Sequence, residues 1–179
     1  MFLNLKNIKI PLFVFCFIIF SSIPQASDNV PLNNIALNEF PRPISPIIFE
    51  DFSGNEVNLK KYNDKLIIIN FWATWCTPCK KEMPSLDRLF ENSNFKNLQI
   101  FAVNMEQPNQ IKTKKFFTEL NIKNLKIFFD KDLNFVKEFK LRGVPTTILI
   151  NRQGKEFARI IGEINFEDKK FLEWLLLYD

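Results

Sequence analysis

At 179 residues the chain suits one compact domain plus a short appendage, since single domains commonly hold about 100–200 residues. With 46% of its residues apolar and 25% charged it has the composition of an ordinary globular protein, which excludes a disordered chain or a miniprotein dependent on disulfide staples. The formal charge of +4 falls to +2 when Lys6 and Lys9 of the first 27 residues are set aside, too small and scattered an excess for nucleic-acid binding.

Residues 1–27 read as an export segment. Lys6 and Lys9 precede an apolar run over 10–20, and small and polar residues follow over 21–27, the order of a secretory signal. The run is shorter than the roughly 20 residues that span a bilayer. Removal after Ala26 would put Pro24 where a small residue is preferred, so a cleaved signal and a short membrane anchor both stay open. Either one places the remainder in the periplasm or on the outer face of a bacterial inner membrane. Cys16 belongs to this segment, leaving only Cys76 and Cys79 in the mature chain. Structural disulfides of exported proteins usually join distant segments, so a vicinal pair points to chemistry.

Residues 28–46, with Pro41, Pro43 and Pro46, are expected to be a linker, and 47–179 the folded domain. Residues 47–52 and 56–59 flank Ser53-Gly54-Asn55 as a predicted hairpin. The run Leu66-Ile67-Ile68-Ile69-Asn70-Phe71 is apolar and rich in β-branched residues, as a strand buried on both faces requires, and it leads directly to the cysteines. A helix is predicted over 77–92, with Met83, Leu86, Leu89 and Phe90 at helical spacing and Pro84 as an expected kink. A strand over 99–104, a helix over 111–120, a strand over 125–129 and a short helix over 134–140 follow. Lys112, Lys114 and Lys115 read as a solvated helix face. A strand over 147–150, a turn over 151–154, a strand over 156–161 and an amphipathic helix over 166–177 complete the chain. Alternating elements around a buried strand predict a three-layer α/β domain.

Disulfide exchange needs a thiolate that attacks and a second thiol within reach to resolve the mixed disulfide. Cys-x-x-Cys supplies that spacing in Cys76-Thr77-Pro78-Cys79, and a helix N-terminus stabilises a thiolate at the first cysteine. Cys76 is therefore read as the nucleophile and Cys79 as the resolving thiol. Half of a zinc site is a poor alternative, because structural zinc takes four ligands and the sequence has no His. A structural disulfide closing so short a loop would constrain the unfolded chain little.

The segment from Asn70 through Trp72, Trp75, Cys76, Cys79 and Glu82 to Pro84 resembles the active-site segment of thioredoxin-like proteins, most closely the exported TlpA/ResA branch. The resemblance extends over about residues 40–178 and includes Gly143-Val144-Pro145-Thr146. It implies a thioredoxin fold with an N-terminal β-hairpin extension and an inserted strand-helix unit, in keeping with the separation of 66 residues from Cys79 to Pro145. It further implies that Pro145 is a cis-proline facing the dithiol and that the Val144 backbone pairs with a bound client. Trp75, Thr77, Pro78 and Thr146 complete the client-binding positions, and Trp72 is mostly structural. Cytosolic thioredoxins carry a buried Asp where Asn70 stands; this branch instead has a Glu one turn after the second cysteine, matched by Glu82, with a plain solvated Glu as the alternative.

The implied activity is reduction of disulfides in exported clients, apocytochrome c among the candidates, with re-reduction by a membrane electron-transfer protein. No cofactor beyond the redox-active Cys76–Cys79 pair is expected, and a monomer is. The rivals are a disulfide-forming oxidase, disfavoured because no His lies between the cysteines, and a non-enzymatic metallochaperone, poorly served without His or a Met cluster.

Overall fold

A computed structural model describes residues 30–179, so the export segment expected over 1–27 lies outside the described residues. Among them, no helix is long and apolar enough to cross a membrane. The chain runs through β1 (Ile35–Pro43), β2 (Ile48–Asp51), β3 (Glu56–Asn58), β4 (Leu66–Trp72), α1 (Thr77–Phe90), β5 (Leu98–Asn104) and α2 (Gln110–Glu119). It continues through β6 (Ile127–Phe129), α3 (Asn134–Phe139), β7 (Thr146–Ile150), β8 (Lys155–Ile161) and α4 (Lys169–Leu175).

All eight strands form one sheet in the order β1-β8-β7-β4-β5-β6-β2-β3. β4 pairs in parallel with β5 and antiparallel with β7, so it sits at the centre, and all seven of its residues are buried. Successive side chains of a strand point to opposite faces. Leu66, Ile68 and Trp72 accordingly pack with Met83 and Leu86 of α1, Phe116 and Phe117 of α2 and Phe171 of α4. Ile67, Ile69 and Phe71 pack on the other face with Phe135 and Phe139 of α3. The expected three-layer α/β architecture follows from this two-sided burial.

The Phe-rich composition is used as core filling. Phe49 meets Phe101, Phe128 and Phe135 with ring centroids 5.0–5.4 Å apart, and Trp72 stacks on Phe116 at 4.5 Å. Each such pair adds about 0.5–1.5 kcal/mol beyond the area it buries. The hairpin β2–β3 extends the sheet edge through β6, and the α2–β6 segment lies between the cysteines and Pro145, as the expected extension and insertion require.

Several boundaries depart from the sequence reading, three of them for a reason visible in the hydrogen bonding. Much of the segment expected to be linker, 28–46, is strand β1, paired antiparallel with β8 at the sheet edge. Proline is tolerated in an edge strand because its missing N–H need not be answered there, and the register breaks between Leu37 and Arg42, around Pro41. β6 starts at Ile127 rather than 125, since the Leu125 N–H donates to Asp87 Oδ1 at 2.9 Å. α4 starts at Lys169 rather than 166, because the Phe166 N–H goes to Ser85 Oγ and the Asp168 carboxylate caps the helix by accepting from Phe171 N. α1 runs continuously through Pro84 to Phe90.

Candidate active site

Cys76 leaves β4 after the loop Ala73-Thr74-Trp75 and occupies the N-cap of α1. Its Sγ accepts a hydrogen bond from Cys79 N at 3.2 Å, so the helix end directs a donor at the sulfur expected to carry negative charge. The two cysteines form a disulfide with Cα atoms 5.3 Å apart. Cys79 is fully enclosed, Cys76 keeps only 2% of its surface, and Trp75 beside them is 68% exposed. Thr77 is exposed and Pro78 half-buried in the first turn.

Glu82 lies one turn beyond Cys79 on the buried face of α1. It is 2% exposed, which corrects the alternative of a solvated surface residue. β4 parity points Asn70 at this face: Asn70 Nδ2 donates to Glu82 Oε1 at 2.8 Å and to Thr147 Oγ1 at 3.0 Å. The Ile164 N–H donates to Glu82 Oε2 at 3.2 Å. Burial raises the Glu82 pKa to about 7, and the hydrogen bonds from Asn70 and Ile164 only partly oppose it. Asn70 Oδ1 is buried without a hydrogen-bond partner. On its outer side Glu82 lines a depression of about 380 Å³ flanked by the ion pairs Lys81–Glu163 and Arg88–Glu167. Glu82 is thus one turn from Cys79 along α1 and also lines this depression.

The Val144–Pro145 peptide bond is cis. Thr146, the first residue of β7, pairs with Phe71 near the end of β4, so the Pro145 turn sits at the sheet end that carries the dithiol. Thr146 Oγ1 donates to Gly143 O at 2.8 Å, and Gly162 N donates to Pro145 O at 3.0 Å. Among the described residues neither the N–H nor the C=O of Val144 has a partner.

One residue escaped the sequence reading. Glu106, just after β5, accepts from Thr74 N at 2.6 Å, Thr74 Oγ1 at 3.1 Å and Lys112 Nζ at 2.6 Å. Desolvation opposes ionisation of this carboxyl, yet the hydrogen bonds from Lys112 and Thr74 outweigh it and lower the pKa. Glu106 therefore pins the loop two residues before Cys76 as an anion. Its separation of 32 residues from Thr74 matches no local motif.

A Cys-x-x-Cys disulfide entering a helix from the central strand of a three-layer α/β sheet, with a cis-proline turn at the same end, defines a thioredoxin-like protein. Solved structures agree on that fold: StoA from Bacillus subtilis matches with a TM-score of 0.61 and 26% identity, covering 75% of this chain and 98% of that one. A DsbF homologue from Corynebacterium diphtheriae matches with a TM-score of 0.67 and 21% identity over 82% of this chain and 95% of that one. The chain belongs to the AhpC/TSA family, whose model matches residues 38–155. It is also 33% identical over 108 residues to the thiol-disulfide oxidoreductase ResA of Halalkalibacterium halodurans; the match spans 60% of either chain.

Proposed function

We propose that this protein is an exported thiol:disulfide oxidoreductase that reduces disulfides of other exported proteins. The observation that carries the reading is the Cys76–Cys79 pair at the α1 N-terminus with the Glu82 carboxyl buried one turn behind it. The Cys76 thiolate attacks one sulfur of a client disulfide, forming a mixed disulfide and releasing the client's other sulfur as a thiolate. Cys79, having lost its proton, then attacks Cys76 Sγ and expels the second client thiolate. Two electrons pass to the client, the protein keeps the Cys76–Cys79 disulfide, and the protons of the two thiols end on the client.

Cys79 resolves from an enclosed position, so its proton needs an internal acceptor. A carboxylate whose pKa lies about 7 is matched to that task near neutral pH. Trp75, Thr77 and Pro78 would form one wall of the client site, and the free backbone of Val144 before Pro145 and Thr146 the other, pairing with an extended client segment. The direction of transfer is inferred from charge. A dithiol becomes a strong oxidant when its reduced, thiolate form is stabilised, and a neighbouring buried carboxylate does the reverse. The charge and apolar pattern of residues 1–27 supports export. Apocytochrome c, through its haem-attachment cysteines, is one client class consistent with the family, and a membrane electron-transfer protein would restore the dithiol.

Redox titration of the Cys76–Cys79 couple tests the direction. The expected potential is clearly more negative than the roughly −120 mV of the oxidant DsbA. A potential near that value would replace this reading with a disulfide-forming oxidase.

A further inference from the structure

Next to the Val144–Pro145 turn the surface opens into a cavity of about 640 Å³. Four cationic side chains line it: Arg42 from β1, Arg159 from β8, and Lys140 and Arg142 from the segment between α3 and the turn. Among the described residues no carboxylate lines it. The acid nearest in the bonding network is Glu156, which is fully buried and shared: its Oε2 takes Arg42 Nη2 at 2.7 Å, and its Oε1 takes Arg159 Nη2 at 2.6 Å and Nε at 2.8 Å. One anion thus answers two guanidinium groups. Lys140 and Arg142 are exposed and have no ion pair among the described residues. The wall therefore carries an excess of three positive charges, interleaved with the half-buried Leu141 and with Ile161, which is 63% exposed.

We propose that this cavity selects the client: it receives an acidic side chain, Asp or Glu, from the extended peptide whose cysteine is being attacked. The inference rests on the exchange function proposed above and names the substrate class of that site. The cavity shares Val144, Pro145 and Thr146 with the edge along which the client chain would pair. A strand advances about 3.3 Å per residue and alternates its side chains, so residues near the client cysteine reach the cavity while the sulfur meets Cys76. Complementary charge accelerates encounter and fixes register.

The test uses the reduced protein and three synthetic peptides with the same disulfide, flanked on both sides by Glu, by Gln or by Lys. Rates of reduction are followed for the wild type and for the double variant Lys140→Glu/Arg142→Glu, whose positions are exposed. The wild type should reduce the Glu peptide about three- to tenfold faster than the Lys peptide in kcat/KM, the range expected for two partly exposed charge pairs. The preference should shrink in 1 M salt, where the screening length is about 3 Å, and should reverse in the double variant. Equal rates for the three peptides in the wild type, or an unchanged preference in the variant, would overturn the selection. Failure to reduce any of the peptides would remove the exchange function, and this inference with it.

Discussion

Replacing Glu82 by glutamine should change how stability depends on pH, and the size of the change follows from the site. The carboxyl has an ordinary pKa of 4.5 and is raised to about 7 in the fold by burial. Below pH 4.5 it is protonated both folded and unfolded. Between 4.5 and 7 the unfolded chain ionises first, so the folded state loses stability as pH rises, and the loss is complete once the folded group ionises too. At 1.36 kcal/mol per pKa unit the difference is roughly 3 kcal/mol. A glutamine amide does not titrate, so in Glu82→Gln this slope should vanish. The substitution can be accommodated: if the Asn70 amide turns over, its orphaned Oδ1 accepts from the introduced amide nitrogen, while the introduced amide oxygen still accepts from Ile164 N. The assay is urea unfolding of the oxidised protein between pH 4 and 8, where the disulfide removes both thiols from the titration. Other titrating groups are common to both proteins and cancel on subtraction. The variant should gain on the wild type by roughly 3 kcal/mol across the range, a relative midpoint shift of about 1–3 M urea. Parallel pH profiles would show that the buried carboxyl is not the titrating group, and the proton-acceptor role would fall with it. In the reduced protein the same substitution should lower the cysteine pKa values and slow exchange near neutral pH, read by thiol alkylation and single-turnover kinetics.

Two further outcomes follow from the geometry. Cys79→Ser should accumulate client mixed disulfides through Cys76, since the resolving thiol is gone, whereas Cys76→Ser should trap almost none, because Cys79 is enclosed; equal trapping on non-reducing gels would contradict the assigned roles. Glu106→Ala leaves the Thr74 N–H without its acceptor and should cost about 1–3 kcal/mol in denaturant unfolding, while slowing attack by Cys76. Glu106→Gln keeps an acceptor oxygen and should restore most of the rate, so identical kinetics for the Ala and Gln variants would argue against positioning of the loop.

What the sequence determined by itself was what neighbouring residues dictate to one another. The apolar run from Leu66 to Phe71 identified the central strand, because a run of that kind is stable only when covered on both faces. Cys76 and Cys79 were legible because their chemistry requires that spacing, and their place at a helix start followed from the helical periodicity beyond them. Glu82 was legible as a neighbour of Cys79 on one helix face, but its burial was not. That depends on Asn70 across the sheet layer and on the Ile164 N–H, 82 residues further on. Its pKa therefore belongs to the tertiary structure, since desolvation is set by everything that excludes water and not by the adjacent sequence. The same holds for β1, whose prolines suggested a linker until an edge position beside β8 made their missing N–H groups harmless. It holds as well for Glu106 beneath the nucleophile's loop and for Arg42, Lys140, Arg142 and Arg159 around one cavity. Charges scattered along the chain have no local pattern, and only the folding of β1, β8 and the Val144–Pro145 turn to one end of the sheet brings them together.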